Sequence, residues 1–333
     1  MIAEILIAIL HVLIAFFVCL WLTKRWIVLA RARGFVGKDM NKPHKPVVAE
    51  GGGIAVVISI VFSLFLYVFF KTFVLKTQTH IIEILAFIIT LLLACFIGFV
   101  DDILGWKKGL SGGKKILLTI PIAIPLAVIN AGHSTMYIPL IGSIDFGIVY
   151  PLILVPLAII GTTNGFNLLA GYNGLEAGLG AIIFASFAIA FLLTMQPWLL
   201  LISAIILACL LSFLVFNKYP AKVFPGNCFT LSIGSAIGAF AILGNIERFA
   251  LILFIPFIIE GILKARSRFK AENFARQSSS GLTKPYKKIY SLTHATLALL
   301  NRIKRKTTEL DVVLSLYAFQ LLFVLLAFLS LLA

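Results

Sequence analysis

Gly98-Phe-Val-Asp-Asp-Ile-Leu-Gly-Trp-Lys-Lys108 lies between two apolar stretches of membrane length, residues 81–100 and 115–131. Adjacent carboxylates where a membrane helix meets water are costly to place, so they mark chemistry, most often the holding of a metal ion. A second polar segment, Thr163-Asn-Gly-Phe-Asn-Leu-Leu-Ala-Gly-Tyr-Asn-Gly-Leu-Glu176, ends another apolar stretch in the same way. The two together point to a catalytic face assembled at a membrane surface.

Working outward, ten apolar stretches are legible, at 2–23, 52–70, 81–100, 115–131, 148–164, 177–195, 197–216, 229–245, 249–263 and 310–332. The chain is 61% hydrophobic and 12% charged, where a soluble domain has about 25% charged residues. Backbone polar groups cannot stay unpaired in lipid, so these stretches must be helices; the alternation of barrel strands is absent. The first stretch lacks a basic start and a small-residue cleavage site, and reads as a retained helix. The expectation is an all-α polytopic membrane protein with ten transmembrane helices, a single domain over residues 1–333.

Basic residues give the orientation. With the N-terminus outside and the helices alternating, the inner loops are 24–50, 101–114 with Lys115, 165–176, 217–228 and 264–309. They hold 25 of the 28 Lys and Arg, the asymmetry of the positive-inside rule. Both termini then lie outside and the site loops are cytoplasmic. The net charge of +15 is thus topological, which demotes a nucleic-acid partner, while inner basic loops still suit phosphates and anionic headgroups. Cys19, Cys95, Cys209 and Cys228 show neither zinc nor disulfide spacing and read as packing residues.

The unusual polar residues gather in the inner loops. Gly51-Gly-Gly53 opens the second helix and reads equally as an anion-approach site or as tight helix packing. Asp101 and Asp102, followed by Lys107, Lys108, Lys114 and Lys115, suit a magnesium–diphosphate complex. Asn164 and Asn167 are three apart and share a helical face; with Asn173 they exceed what helix capping requires. Pro225-Gly226 presents Asn227 at a helix start, and Phe224 before it suits base stacking or interface anchoring. Glu260 is placed to pair with Lys264 on a helix face.

On these motifs the chain resembles the polyprenyl-phosphate N-acetylhexosamine-1-phosphate transferases over nearly its whole length. Phe99-Val-Asp-Asp-Ile-Leu104 resembles their paired-aspartate motif. Asn164-Gly-Phe-Asn-Leu-Leu-Ala-Gly-Tyr-Asn-Gly-Leu-Glu176 and Pro46-Val-Val-Ala-Glu-Gly51 look closer to the dolichyl-phosphate branch than to the bacterial one, which usually has aspartates where Ala170 and Asn173 stand. The resemblance implies catalytic roles for Asp101, Asp102 and Lys115, and magnesium (or manganese) held by Asp102, Asn167 and Asn227. It implies a nucleotide site at Asn164, Asn173 and Phe224, with Asn173 at the uracil edge, and a phosphate and sugar side at Lys42, Glu50 and His294. There are two departures: Asn227 stands where the family commonly has aspartate, and His294 alone resembles the family's histidine or Arg-His-Arg cluster.

The implied reaction is transfer of N-acetylglucosamine 1-phosphate from UDP-N-acetylglucosamine to a polyprenyl, dolichyl-type phosphate, opening lipid-linked oligosaccharide assembly. A plasma-membrane enzyme of archaeal or bacterial type is expected, or an endoplasmic-reticulum enzyme in a eukaryote, with a homodimer left open. Three rivals stand beside it: the same transfer with another UDP-sugar for cell-wall or polysaccharide synthesis, a transporter of phosphorylated or nucleotide-sugar solutes, and an intramembrane aspartyl protease. A transporter should carry its ionisable residues near the midplane, and the protease needs a second aspartate motif that the chain lacks.

Overall fold

Each of the ten apolar stretches carries a helix. The structure, a computed structural model, describes residues 2–104, 112–138, 142–278 and 281–332; Lys107 and Lys108 lie outside these. The helices are α1 (Ile2–Ala32), α2 (Gly53–Phe69), α3 (Ile81–Leu104), α4 (Gly112–Val128), α5 (Val155–Leu168), α6 (Leu175–Leu193), α7 (Pro197–Asn217), α8 (Asn227–Leu243) and α9 (Glu247–Ala265), then α10 (Leu292–Ile303) and α11 (Glu309–Leu332). A π-helical turn, Phe70–Val74, extends α2, and another, Tyr150–Leu154, leads into α5. Helix α10 was hidden inside the long basic loop.

Among the described residues, seven helical segments are long and apolar enough to cross a membrane: Leu6–Ala32, Gly53–Val74, Ile81–Leu104, Tyr150–Leu168, Leu175–Leu193, Pro197–Asn217 and Glu309–Leu331. Helices α4 and α8 offer shorter apolar runs, Lys115–Val128 and Asn227–Leu243, and α9 carries charges at both ends. Large apolar side chains such as Phe17, Trp21, Phe62, Phe96, Leu157 and Leu325 point outward. This is the construction of a polytopic membrane protein, turned apolar side out toward lipid.

Helix α8 is the hub. Every residue from Cys228 to Leu243 is buried, and α8 packs on α3 and α5. Lipid is as apolar as a leucine core, so helices here are held by close packing and hydrogen bonds, which favours small residues. At Gly98 a Cβ would lie 2.4 Å from the Asn227 carbonyl oxygen. The bare α-carbon therefore lets α3 bring Asp101 and Asp102, one turn on, against the start of α8. The glycine run is settled as packing too: the N–H groups of Gly52 and Gly53 donate to the carbonyls of Phe224 and Pro225 at 2.9 and 2.8 Å, so those donors are spent on the chain itself.

Among the described residues, three short antiparallel strand pairs lie between helices. Strands β1 (Val36–Lys38) and β2 (Val47–Ala49) pair with Val36 opposite Ala49, which holds the loop 39–46 over the bundle end. Strands β3 (Thr135–Ile138) and β4 (Gly142–Asp145) pair between α4 and α5, and β5 (Arg276–Ser278) and β6 (Gly281–Thr283) pair within the last long loop. The expected Glu260–Lys264 pair is redirected. Glu260 accepts from the Ser291 hydroxyl and the Leu292 N–H at 3.1 and 2.6 Å, where it caps α10, and Lys264 Nζ donates to the Ala271 carbonyl at 2.6 Å.

Candidate active site

The N-terminus of α8 is the centre of a polar cluster. Its first N–H groups have no partner within the helix and attract an anion. Asp102 supplies it: Asn227 N–H and Cys228 N–H donate to the carboxylate at 2.7 and 3.0 Å. Gly226 makes the approach feasible. It has φ +76°, and a Cβ there would stand 2.5 Å from Asp102 Oδ2. Beside this cap, Lys115 Nζ donates to Asp101 Oδ2 at 2.8 Å and to Asn227 Oδ1 at 3.0 Å. Asn167, near the end of α5, accepts from the Thr230 hydroxyl at 2.6 Å. Asp101, Asp102, Lys115, Asn167 and Asn227 thus converge from α3, α4, α5 and α8, as the sequence reading required.

A cavity of about 510 Å³ opens on this cluster. Asp102, Asn167, Asn227, Phe224 and Glu50 line it, together with Asp39, Met40, Tyr172 and Glu176. Phe224 is fastened to the first loop by its N–H, which donates to the Ala49 carbonyl at 2.7 Å. The Glu50 carboxyl is pushed above the ordinary carboxylate range by burial and then by the nearby Asp102 charge. A smaller cavity of about 270 Å³ adjoins, sharing Asn167, Ala170, Gly171 and Phe274 and lined also by Lys264, Glu272 and Asn273.

The donors around α8 fit a hard divalent cation in kind: Asp102 offers a carboxylate, and Asn167 and Asn227 offer amide carbonyls, all oxygen. Each accepting oxygen has a lone pair beyond the bond it already receives. Among the described residues no three of the His, Cys, Asp and Glu side chains group as a metal site, so the amides have to contribute.

Four expected site residues stand elsewhere. Asn164 does not border the cavity; its amide donates to the Thr119 hydroxyl and the Ile160 carbonyl, both at 2.9 Å, and ties α5 to α4. His294 is fully buried in α10. Tyr290 N–H donates to its Nδ1 at 3.4 Å, which leaves Nε2–H to donate to the Glu272 carbonyl at 3.0 Å. Burial, with the Lys264 ammonium adding to it, lowers its pKa to about 4, so it is a neutral structural histidine. Lys42 does not line the cavity: its ammonium donates to Asp39, to Asn173 Oδ1 at 2.7 Å and to Glu309 Oε2 at 3.1 Å, and lies over the Tyr219 ring at 4.8 Å. Those three acceptors use all three of its N–H donors.

Asn173 is the fourth. It is buried one layer behind the cavity wall, with its Nδ2 donating to Asp39 at 3.1 Å and its Oδ1 accepting from Lys42 and from Ala221 N–H at 2.8 Å. Its own N–H donates to Glu309 Oε1 at 2.7 Å. The loop from Asn167 to Gly174 is pinned further by Asn273, whose amide donates to the Leu168 and Ala170 carbonyls at 2.8 Å, and by Asn41, which donates to the Gly171 carbonyl at 2.8 Å.

Sequence reasoning missed Asp39, Glu309, Thr230 and Asn273. Only Glu309 carried a readable signal, a carboxylate at the start of an apolar stretch, the same placement that singled out Asp101 and Asp102.

Residues 84–245 match the model of glycosyl transferase family 4. A protein of Saccharolobus solfataricus is 38% identical over 330 residues, 97% of each chain, and is named as a candidate UDP-N-acetylglucosamine–dolichyl-phosphate N-acetylglucosaminephosphotransferase. A Sulfolobus acidocaldarius protein of the same name is 35% identical over 98% of this chain and 97% of its own. The phospho-N-acetylmuramoyl-pentapeptide-transferase of Halalkalibacterium halodurans is 35% identical over 63% of this chain and 65% of its own.

Proposed function

Because the chain belongs to glycosyl transferase family 4, we propose that it moves N-acetylglucosamine 1-phosphate from UDP-N-acetylglucosamine to a dolichyl-type polyprenyl phosphate, releasing UMP. The observation that carries this reading is the convergence of Asp102, Asn167, Asn227 and Phe224 on one cavity. The names of the two archaeal relatives support the choice of sugar and lipid.

An oxygen of the lipid phosphate attacks the sugar-linked phosphorus of the nucleotide. A new P–O bond forms, the P–O bond to UMP breaks, and a lipid diphosphate-sugar remains. A phosphate monoester has its second pKa near 6, so the nucleophile is already ionised at neutral pH and needs no strong base. The obstacle is repulsion between two anions. Lys115, held between Asp101 and Asn227, places a fixed ammonium beside the reacting phosphates. Asp102, Asn167 and Asn227 would hold magnesium, which supplies electrostatic stabilisation of the diphosphate and of charge on the departing UMP. Phe224 packs on the uracil face. The site must sit at the membrane boundary because the acceptor's tail stays in the bilayer.

In this reading all ten apolar stretches span, with α10 on the inner side. Both termini face outward and the cavity opens to the cytoplasm of a plasma membrane, the orientation that the basic loops support. The test is UMP release by purified protein given magnesium, dolichyl or undecaprenyl phosphate and a panel of UDP-sugars. Release with UDP-N-acetylglucosamine that depends on the lipid supports the proposal. Release only with another UDP-sugar moves the enzyme to the cell-wall or polysaccharide alternative, and none with any sugar, with nucleotide-sugar uptake by vesicles, moves it to transport.

A further inference from the structure

Helix α10 and the turn after it carry a surface that the proposed reaction does not use. The side of α10 that packs inward holds Leu292, Thr293, His294 and Leu297, all buried. Leu299 and Ile303, four residues apart and so on one face, are 59% and 72% exposed. Arg302, Lys304, Arg305 and Lys306 stand exposed around them. Among the described residues, Lys304 alone of these four has a carboxylate partner. One exposed leucine is ordinary on any protein. Two apolar side chains a turn apart, ringed by four cations, form the amphipathic pattern of a segment that lies in a membrane–water interface.

The fold puts this surface at such an interface. Ile303 comes six residues before Glu309, where α11 begins, and α11 is long and apolar enough to cross a membrane. Six residues reach about 20 Å at full extension, and this connection is folded back on itself. Lys304 Nζ donates to Asp311 Oδ1 at 2.5 Å, the Thr307 hydroxyl donates to Asn301 Oδ1 at 2.6 Å, and Leu282 N–H donates to the Thr307 carbonyl at 2.9 Å. The last turn of α10 is thereby held beside the first turn of α11. There Leu310 and Leu314, also four apart, open the exposed apolar face of the spanning helix.

We propose that the end of α10 and the turn 304–306 are a docking surface for the anionic bilayer, with Leu299 and Ile303 entering the headgroup region and Arg302, Arg305 and Lys306 holding anionic lipid headgroups. Charge complementarity and continuity with the lipid-facing side of α11 select this partner. Each such cation near an anionic surface strengthens the contact about fivefold. The assignment needs α11 to span a membrane and does not depend on the transferase reading.

Hydrogen–deuterium exchange of the full-length protein in nanodiscs tests it, comparing phosphatidylcholine alone with phosphatidylcholine plus phosphatidylglycerol. Backbone amides of residues 299–306 should exchange at least about fivefold more slowly in the anionic discs, and high salt should shrink the difference. In the triple variant R302Q/R305Q/K306Q the two lipid compositions should give the same rates. Ile303→Ser should exchange faster than wild type in both discs yet keep the anionic preference. Equal wild-type rates in the two compositions, or an undiminished difference in the triple variant, overturns the proposal. So does equal slowing by inorganic phosphate in neutral discs, which would make the cations a site for a free anion. Should the triple variant fail to fold, Arg305→Gln decides, and an undiminished difference there counts against the surface. None of these readouts uses UMP release, so a failure here leaves the proposed reaction standing.

Discussion

Two buried polar clusters border the same cavity, and they are built on opposite plans. At the start of α8, Asp102, Asn167 and Asn227 line the cavity and keep oxygen lone pairs in reserve. Around Asn173, the partners Lys42, Asp39, Ala221 and Glu309 use nearly every donor and acceptor internally. The first cluster is arranged to meet a ligand; the second holds loops 39–46, 169–174 and 218–226 and the start of α11 in register. Asparagines of one motif, nine residues apart from Asn164 to Asn173, therefore divide between chemistry and scaffolding according to whether their capacity is spent.

That contrast can be broken at several points. The largest effect is expected at Asp102→Asn, where turnover should drop at least about 100-fold, as when one electrostatic stabiliser is lost. The melting temperature should fall as well, since an amide oxygen accepts from one of the two α8 N–H groups and its NH2 is set against the other. Near-normal turnover would move Asp102 from chemistry to capping alone.

Next is the acid response of the scaffolding side. The pKa of His294 is lowered to about 4 against about 6.5 in an unfolded chain. Above pH 6.5 neither state takes up a proton there and stability is unaffected. As pH falls from 6.5 toward 4 the unfolded state alone is protonated, so stability is lost through that window, by about 2–3 kcal/mol at most. His294→Gln should flatten that part of the pH–stability curve and leave nucleotide affinity unchanged; a wild-type slope in the variant would contradict the assignment.

Asn227→Asp sharpens the open cluster. Adding a charge to a neutral ligand should lower the half-activating magnesium concentration by about tenfold, read from UMP release against magnesium. No shift would remove Asn227 from the ligand set. The smallest effect is expected at Glu50→Gln. A carboxyl raised by burial and by Asp102 stabilises the fold only when protonated, and that contribution is lost as pH rises through its folded pKa. The variant should therefore melt slightly higher at pH 7, with the gain fading as pH falls through the raised folded pKa and gone below the ordinary carboxylate pKa near 4.3.

The helical bundle was legible in the sequence because lipid imposes a length and an apolarity that each stretch carries by itself. Asp101 and Asp102 were legible for the same reason, being carboxylates where that imposition should forbid them. Helix α10 was not, since Leu292–Ile303 is amphipathic and lies among basic loop residues. Nor was the wiring of Asn173, whose partners come from positions 39, 42, 221 and 309. Glu260 shows the limit of local pairing rules: its i+4 lysine was available, yet the free N-terminus of α10, from a distant segment, took the carboxylate.

The most direct measurement follows the β-phosphorus. With UDP-N-acetylglucosamine labelled at its β-phosphate, incubated with the purified protein, magnesium and dolichyl phosphate, the label should pass into the organic phase with the sugar while UMP stays in water. Label retained in aqueous UDP, with sugar alone on the lipid, would mean that the glycosidic bond is the one broken and would contradict phosphoryl transfer at this cavity.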